Sequence, residues 1–200
     1  MARLYKMMVL RTIVVLLVIL GTLGLVAVRP AAAQMPVPLF GQRWDPWQWD
    51  RLGSSNLLIR DYGCAMTCAA MVLNYYGGNT NPGDLNNWLK ANGGYANGNL
   101  IIWAVAARRA PNLTYYGGYN WTTVPADLTV INWWLDRGCP LIAETRIGAS
   151  RSQQHFVVLT GRSGANYFMN DPWYGDRTTF QTRYGDARRW IYGLRIYRRP

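Results

Sequence analysis

From Asp61 to Gly77 the apolar residues Ala65, Cys68, Ala69, Val72, Leu73 and Tyr76 recur at intervals of three and four. That spacing predicts a helix with one face pressed into a core. Gly63 supplies its tight lead-in and Gly77 its exit, so the start of the helix is sharply fixed. Ahead of it, residues 34–52 are rich in Pro and Trp and have no sustained period, which reads as an extended arm laid over the domain. Clustered tryptophans (Trp44, Trp47, Trp49) can form a carbohydrate-stacking surface, but a lid over a core is their commoner use. Beyond the cysteine helix, the pattern predicts a short helix from about Asp84 to Ala91, closed by Gly93-Gly94. Another follows from Ile101 to Arg109, then a strand from Leu113 to Tyr116 and a helix from Pro125 to Arg137 with Gly138 as its stop.

The character then changes. Leu141 to Thr145, His155 to Thr160, Asn166 to Asn170, Arg177 to Phe180 and Trp190 to Tyr197 are short apolar or aromatic runs separated by Gly, Ser and Pro turns. They predict an antiparallel sheet. Helices first and strands second imply an α+β domain in two layers. With no internal repeat and no linker, residues 34–200 are expected to form a single domain.

The first 33 residues are of another kind. Arg3, Lys6 and Arg11 precede an uncharged apolar run from Thr12 to Val28, and Ala31-Ala32-Ala33 follow. These are the parts of a secretory signal peptide cleaved after Ala33, and an uncut run of this length could instead anchor the chain in a membrane. Either way the domain is expected outside the cytoplasm, secreted or at the cell surface. Four of the 21 Lys and Arg residues and none of the ten acids lie in that segment, so the mature chain carries 17 minus 10, or +7. A basic surface suits anionic partners such as cell-wall polymers, although scattered arginines are more often a solvated face. No nucleic-acid motif is present. Three cysteines is an odd number, so at least one is free or paired with another molecule. No Cys-x-x-Cys spacing supports a metal site, and no cofactor is implied.

One cysteine stands apart. Cys64 falls in the first turn of its helix, where unpaired N–H groups and the positive end of the dipole favour negative charge. Cys68 and Cys139 read as small buried residues. His155 is the only histidine, and it opens an apolar strand after the polar loop 150–154, where a cleft base would be placed. Hairpin geometry returns Asp171 beside the start of that strand, within reach of the imidazole. A carboxylate there can fix the tautomer that takes a proton from Cys64. By itself, Asp171 before Pro172 is equally well a turn residue.

Gly63-Cys64 followed by Met71-Val72-Leu73-Asn74-Tyr75-Tyr76-Gly77, together with His155-Phe156-Val157-Val158 and Asn170-Asp171-Pro172-Trp173, resembles cysteine peptidase family 39. These are papain-like peptidases that trim double-glycine leaders in bacteriocin exporters, and the likeness is greater to their stand-alone relatives. The resemblance covers most of residues 41–197. It implies a papain-like α+β fold, with N-terminal helices carrying the cysteine packed on a C-terminal antiparallel sheet. Cys64 would be the nucleophile, His155 the general base and Asp171 its orienting acid. The exporter peptidases place an oxyanion-hole glutamine a few residues before the nucleophile, where Leu57, Leu58 and Ile59 stand here. Gln42 resembles the upstream glutamine of the stand-alone relatives. The implied partner is a peptide or cell-wall peptide substrate. The alternatives are a peptidoglycan amide hydrolase and a cell-surface binding module that has kept the fold and lost its rate.

Overall fold

The computed structural model describes residues 34–200, and the expected signal segment or anchor at residues 1–33 lies outside them. The arm runs without regular structure save one 3₁₀ turn, Trp47–Trp49. Hydrogen bonds pin it to the sheet: the Met35 N–H donates to the Thr160 carbonyl at 2.6 Å, and the Asn170 side-chain Nδ2 donates to the carbonyls of Val37 and Pro38 at 3.2 Å each. Its tryptophans divide. Trp47 packs edge-on against Phe40 with its indole N–H on the Gly41 carbonyl, while Trp44 and Trp49 stay outside.

A short helix that periodicity does not predict, α1 (Ile59–Tyr62), precedes the cysteine helix, α2 (Cys64–Tyr75). Gly63 joins them, and only glycine fits: a Cβ there would lie 2.6 Å from the Ile59 carbonyl oxygen. The expectation of one buried face is too modest, since every residue from Met66 to Leu73 is buried. α2 is a central helix, with the sheet on one side and α3 (Pro82–Ala91) and α4 (Trp103–Ala107) on others. Asn81 caps α3 by accepting the Asp84 N–H at 3.0 Å. The helix expected from Ile101 is shortened because β1 (Tyr95–Ala96) and β2 (Leu100–Ile101) form a hairpin ahead of it. Its turn is the three-residue Asn97-Gly98-Asn99, the first two at positive φ.

The main sheet contains β3 (Thr114–Asn120), β4 (Leu141–Ile147), β5 (Gln153–Ser163), β6 (Asn166–Asp171), β7 (Asp176–Thr179) and β8 (Gly193–Arg198), in the order β3-β8-β4-β5-β6-β7 with every neighbour antiparallel. Three helices interrupt the strands: α5 (Leu128–Leu135), α6 (Phe180–Tyr184) and α7 (Ala187–Trp190). Two expected strands are corrected by them. The run ending at Phe180 stops at Thr179, whose hydroxyl accepts the Thr182 N–H and starts α6; Trp190 closes α7, so the last strand begins at Gly193.

Those helices also change the layering. Along β6, Asn170 turns toward α2, its Nδ2 lying 3.8 Å from Met71 Sδ. Tyr167 and Asp171 share the other face of the strand. There Tyr167 donates its hydroxyl to Asn132 of α5 at 2.8 Å, and Tyr184 of α6 meets Asp171. The sheet is covered on both faces, giving an α+β domain of three layers rather than two. Double burial explains why β5 reads as a continuous apolar run, not an alternating one.

Among the described residues, no helix is long and apolar enough to cross a membrane.

Candidate active site

β6 pairs with β5 only from Val158 to Ser163, so residues 153–157 of β5 have β4 on one side and an open edge on the other. The first turn of α2 meets that open edge. Cys64, Ala65, His155, Phe156 and Trp173 line the resulting cleft, which has a volume of ≈ 730 Å³. Cys64 is the first residue of α2, half-buried, and lines the cleft together with His155. Asn170 lies opposite Val158, so the next residue, Asp171, comes to the face that His155 shares. Asp171 Oδ1 is 2.9 Å from His155 Nε2, which leaves Nδ1 for the thiol.

The carboxylate is unusually well supported. Besides His155, it accepts the Trp173 N–H at 3.0 Å, the Tyr184 hydroxyl at 2.6 Å and Arg183 Nη1 at 3.2 Å. Arg183 is itself held by two 2.7 Å bonds to Asp176. Burial opposes charge on Asp171, yet its bonds to His155 and Tyr184 and the nearby cations hold its carboxyl below the usual carboxylate range. Burial also opposes the imidazolium, but bonding to Asp171 and Cys64 and their negative charge push His155 up to about 9. These contacts favour the charged form of the ring. Trp173 shields it edge-on, with ring centroids 6.4 Å apart, and Arg43 stacks 3.6 Å above the indole.

Sequence reasoning missed Arg183 and Tyr184, because the run before them reads as strand. The available signal was Thr179, three residues before Thr182, a side-chain cap at a helix start. Burial pushes the Tyr184 phenol well up, so it remains a donor. Tyr184→Phe deletes a bond that lowers the Asp171 pKa. Acid unfolding of this variant, followed by circular dichroism, is expected at higher pH than in the parent. Turnover should fall roughly tenfold, the usual scale for losing a partner that orients a reacting group.

The other candidates sit elsewhere. Cys68 is fully buried, and burial raises its thiol far above the ordinary range. Cys139 is half-buried outside the cleft, and all three cysteines are free. Gln42 lies next to the turn that carries Cys64, fully buried and outside the cleft lining. Its Nε2 donates to the carbonyls of Arg60 at 2.8 Å and Ile59 at 3.4 Å, while Oε1 has no partner among the described residues. The amide thus braces the end of α1, directly before Gly63-Cys64.

A cysteine at a helix mouth against an imidazolium held by a carboxylate is the arrangement of thiol peptidases. The chain belongs to the Peptidase_C39 like family, whose family model matches residues 35–192. No curated protein matches it. Among solved structures, a C39-like peptidase from Bacillus anthracis is similar at 16% identity over 82% of this chain and 96% of that one, with a TM-score of 0.49. A double glycine motif protease from an AMS/PCAT transporter, solved in complex with the leader peptide, is similar at 20% identity over 84% of this chain and 95% of the other, with a TM-score of 0.49.

Proposed function

We propose that the chain is an exported thiol hydrolase that cleaves a peptide or amide bond through an acyl-enzyme at Cys64. The observation that carries this reading is that Cys64 and His155 share the cleft at the open edge of β5, with His155 bonded to Asp171 at 2.9 Å. The Cys64 sulfur attacks the substrate carbonyl carbon. His155, as the imidazolium, gives its proton to the departing amine, and the C–N bond breaks. Water then attacks the thioester, His155 takes its proton, and the free acid leaves as the C–S bond breaks, restoring the free Cys64 sulfur and the imidazolium. Asp171 keeps its charge throughout and holds the ring. The Cys64 backbone N–H at the helix start is one donor for the oxyanion. Gln42 is the second candidate, since its 3.4 Å bond to Ile59 is weak enough to exchange for a developing negative charge.

The substrate class is a peptide, and the +7 charge of residues 34–200 favours one displayed on an anionic cell wall. Iodoacetamide tests the site without a known substrate. It is expected to label Cys64 ahead of Cys68 and Cys139, read by peptide mass spectrometry, and His155→Ala should slow that labelling at neutral pH. Equal labelling in parent and variant would mean that the two side chains do not cooperate, and the binding-module reading would replace this one.

Residues 34–200 are on this reading one exported domain, released by cleavage after Ala33. Mass spectrometry of the exported protein should find Gln34 at the N-terminus. Recovery of membrane-bound chain still carrying Met1 would favour an anchor.

A further inference from the structure

The cleft holds a second set of charged groups besides the triad. Arg195 lines it, and Glu144 stands behind, cross-strand from Phe156 on β5 and Gly193 on β8. Glu144 is only 6% exposed. Its Oε2 is 3.4 Å from Arg195 Nη2; its Oε1 accepts Gln154 Nε2 at 2.8 Å and lies 3.6 Å from Arg146 Nη2. One carboxylate therefore serves two guanidiniums, and a positive charge is left over. The facing wall repeats the imbalance, with Asp61 3.7 Å from Arg43 and 3.6 Å from Arg60. Behind the triad, by contrast, His155 and Arg183 are matched by Asp171 and Asp176.

Arg195 is also held in place. Its Nη1 donates to the Leu194 carbonyl at 2.9 Å, and its guanidinium lies 5.8 Å and 5.9 Å from the ring centroids of Trp103 and Phe156. Its side chain is 24% exposed, open to a ligand yet partly out of bulk water. A preplaced guanidinium loses little freedom on binding and offers a planar fork that matches a carboxylate. Burying Glu144 in a sheet costs stability unless it is paired. Its placement makes sense as the anchor that fixes Arg195 toward the cleft.

We propose that Arg195 is the docking point for a substrate carboxylate, so that the cleft selects acidic peptides. This rests on the reading of the cleft as a peptide-cleaving site. A charge-assisted bond to a fixed guanidinium is expected to favour Glu over Gln by roughly tenfold or more at the matching position. The rest of the peptide would lie over Ile101, Trp103 and Phe156.

The test uses the full chain carrying Cys64→Ala, which can bind without turnover, in titration calorimetry. The probes are seven-residue Ala/Gly peptides capped at both ends with a single Glu or Gln moved along the sequence, plus an all-Ala peptide with a free or amidated C-terminus. At least one Glu peptide, or the free acid, should bind about tenfold tighter than its neutral twin. Arg195→Met should erase that gap, and Arg195→Lys should retain part of it. A gap at a Glu position assigns Arg195 to a side chain, and a gap only for the free acid assigns it to a chain terminus. Because Arg195→Met strips one partner from Glu144, the double variant Glu144→Gln/Arg195→Met runs beside it, with folding checked by circular dichroism. Neutral and acidic twins that bind alike throughout, or a gap that survives Arg195→Met in a folded protein, overturn the proposal. His155-dependent iodoacetamide labelling of Cys64 is the separate arm. Normal labelling with no acidic preference rejects Arg195 alone, whereas lost labelling rejects the hydrolase reading while the binding comparison still decides on Arg195.

Discussion

His155→Ala is expected to fold like the parent chain and to lose about 10⁴-fold or more in turnover, the scale seen when one member of a nucleophile–base pair is removed. His155 supplies both the proton for the leaving amine and the cation beside the nucleophile, and no second histidine exists to substitute. Cys64→Ala should be inert for a different reason, since without sulfur no acyl-enzyme forms. The double variant should be no worse than either single one, because both residues serve one step. Cys68→Ala, a small loss of volume one helical turn away, should keep its activity. The measurement is hydrolysis of a peptide mixture followed by mass spectrometry, with folding checked in parallel. Full turnover in Cys64→Ala, or its loss in a folded Cys68→Ala, would sink the assignment.

The second large effect concerns stability against pH. His155 moves from an ordinary value of 6.5 to about 9 on folding, so its contribution is complete below 6.5. Between 6.5 and 9 the unfolded chain sheds the proton while the folded chain keeps it, and stability falls. Above that range the contribution is gone. Asp171 has the opposite sign: its folded value lies below 3.8, so its contribution is present above that pH and lost as the pH falls through the folded value. The pair stabilises most between about 4 and 6.5, and the alkaline loss is on the order of a few kcal/mol. Urea unfolding across this range should show it. Asp171→Asn keeps the shape and removes the charge, and should flatten the alkaline slope. With only one histidine in the chain, a slope unchanged in Asp171→Asn would disprove the coupling.

Much of this site could be read from residues alone because its chemistry is concentrated. A cysteine at the start of a periodic run and a histidine at the start of an apolar strand are local signals. The His155–Asp171 contact follows from strand alternation once the hairpin is recognised. What escaped depends on long-range packing. The all-round burial of α2 from Met66 to Leu73 could not be seen in its spacing, because Met66 and Met71 lie off the expected apolar face and need other helices to cover them. The third layer was hidden by α6 and α7, each five residues or fewer, inside segments rich in β-forming residues. With α6 went Arg183 and Tyr184. The orientation of the Gln42 amide could not be inferred either, since it depends on where α1 ends.

The arm has a consequence for how the protein can be handled. The Gln42 N–H is bonded to the Pro172 carbonyl at 2.8 Å, its amide holds Arg60, and Arg43 lies on Trp173. Two adjacent residues of the arm thereby fasten the loop after Asp171 to the turn before Cys64. They act as a clasp across the joint between nucleophile and base, in a segment that a routine trimming of the N-terminus would discard. A chain begun after Arg43 would keep Cys64, His155 and Asp171 while freeing the two halves to drift. Since displacements of about an ångström can cost roughly a hundredfold in rate, such a truncation could imitate an inactive family member. Affinity tags are better placed at the other end, where residues 198–200 are exposed.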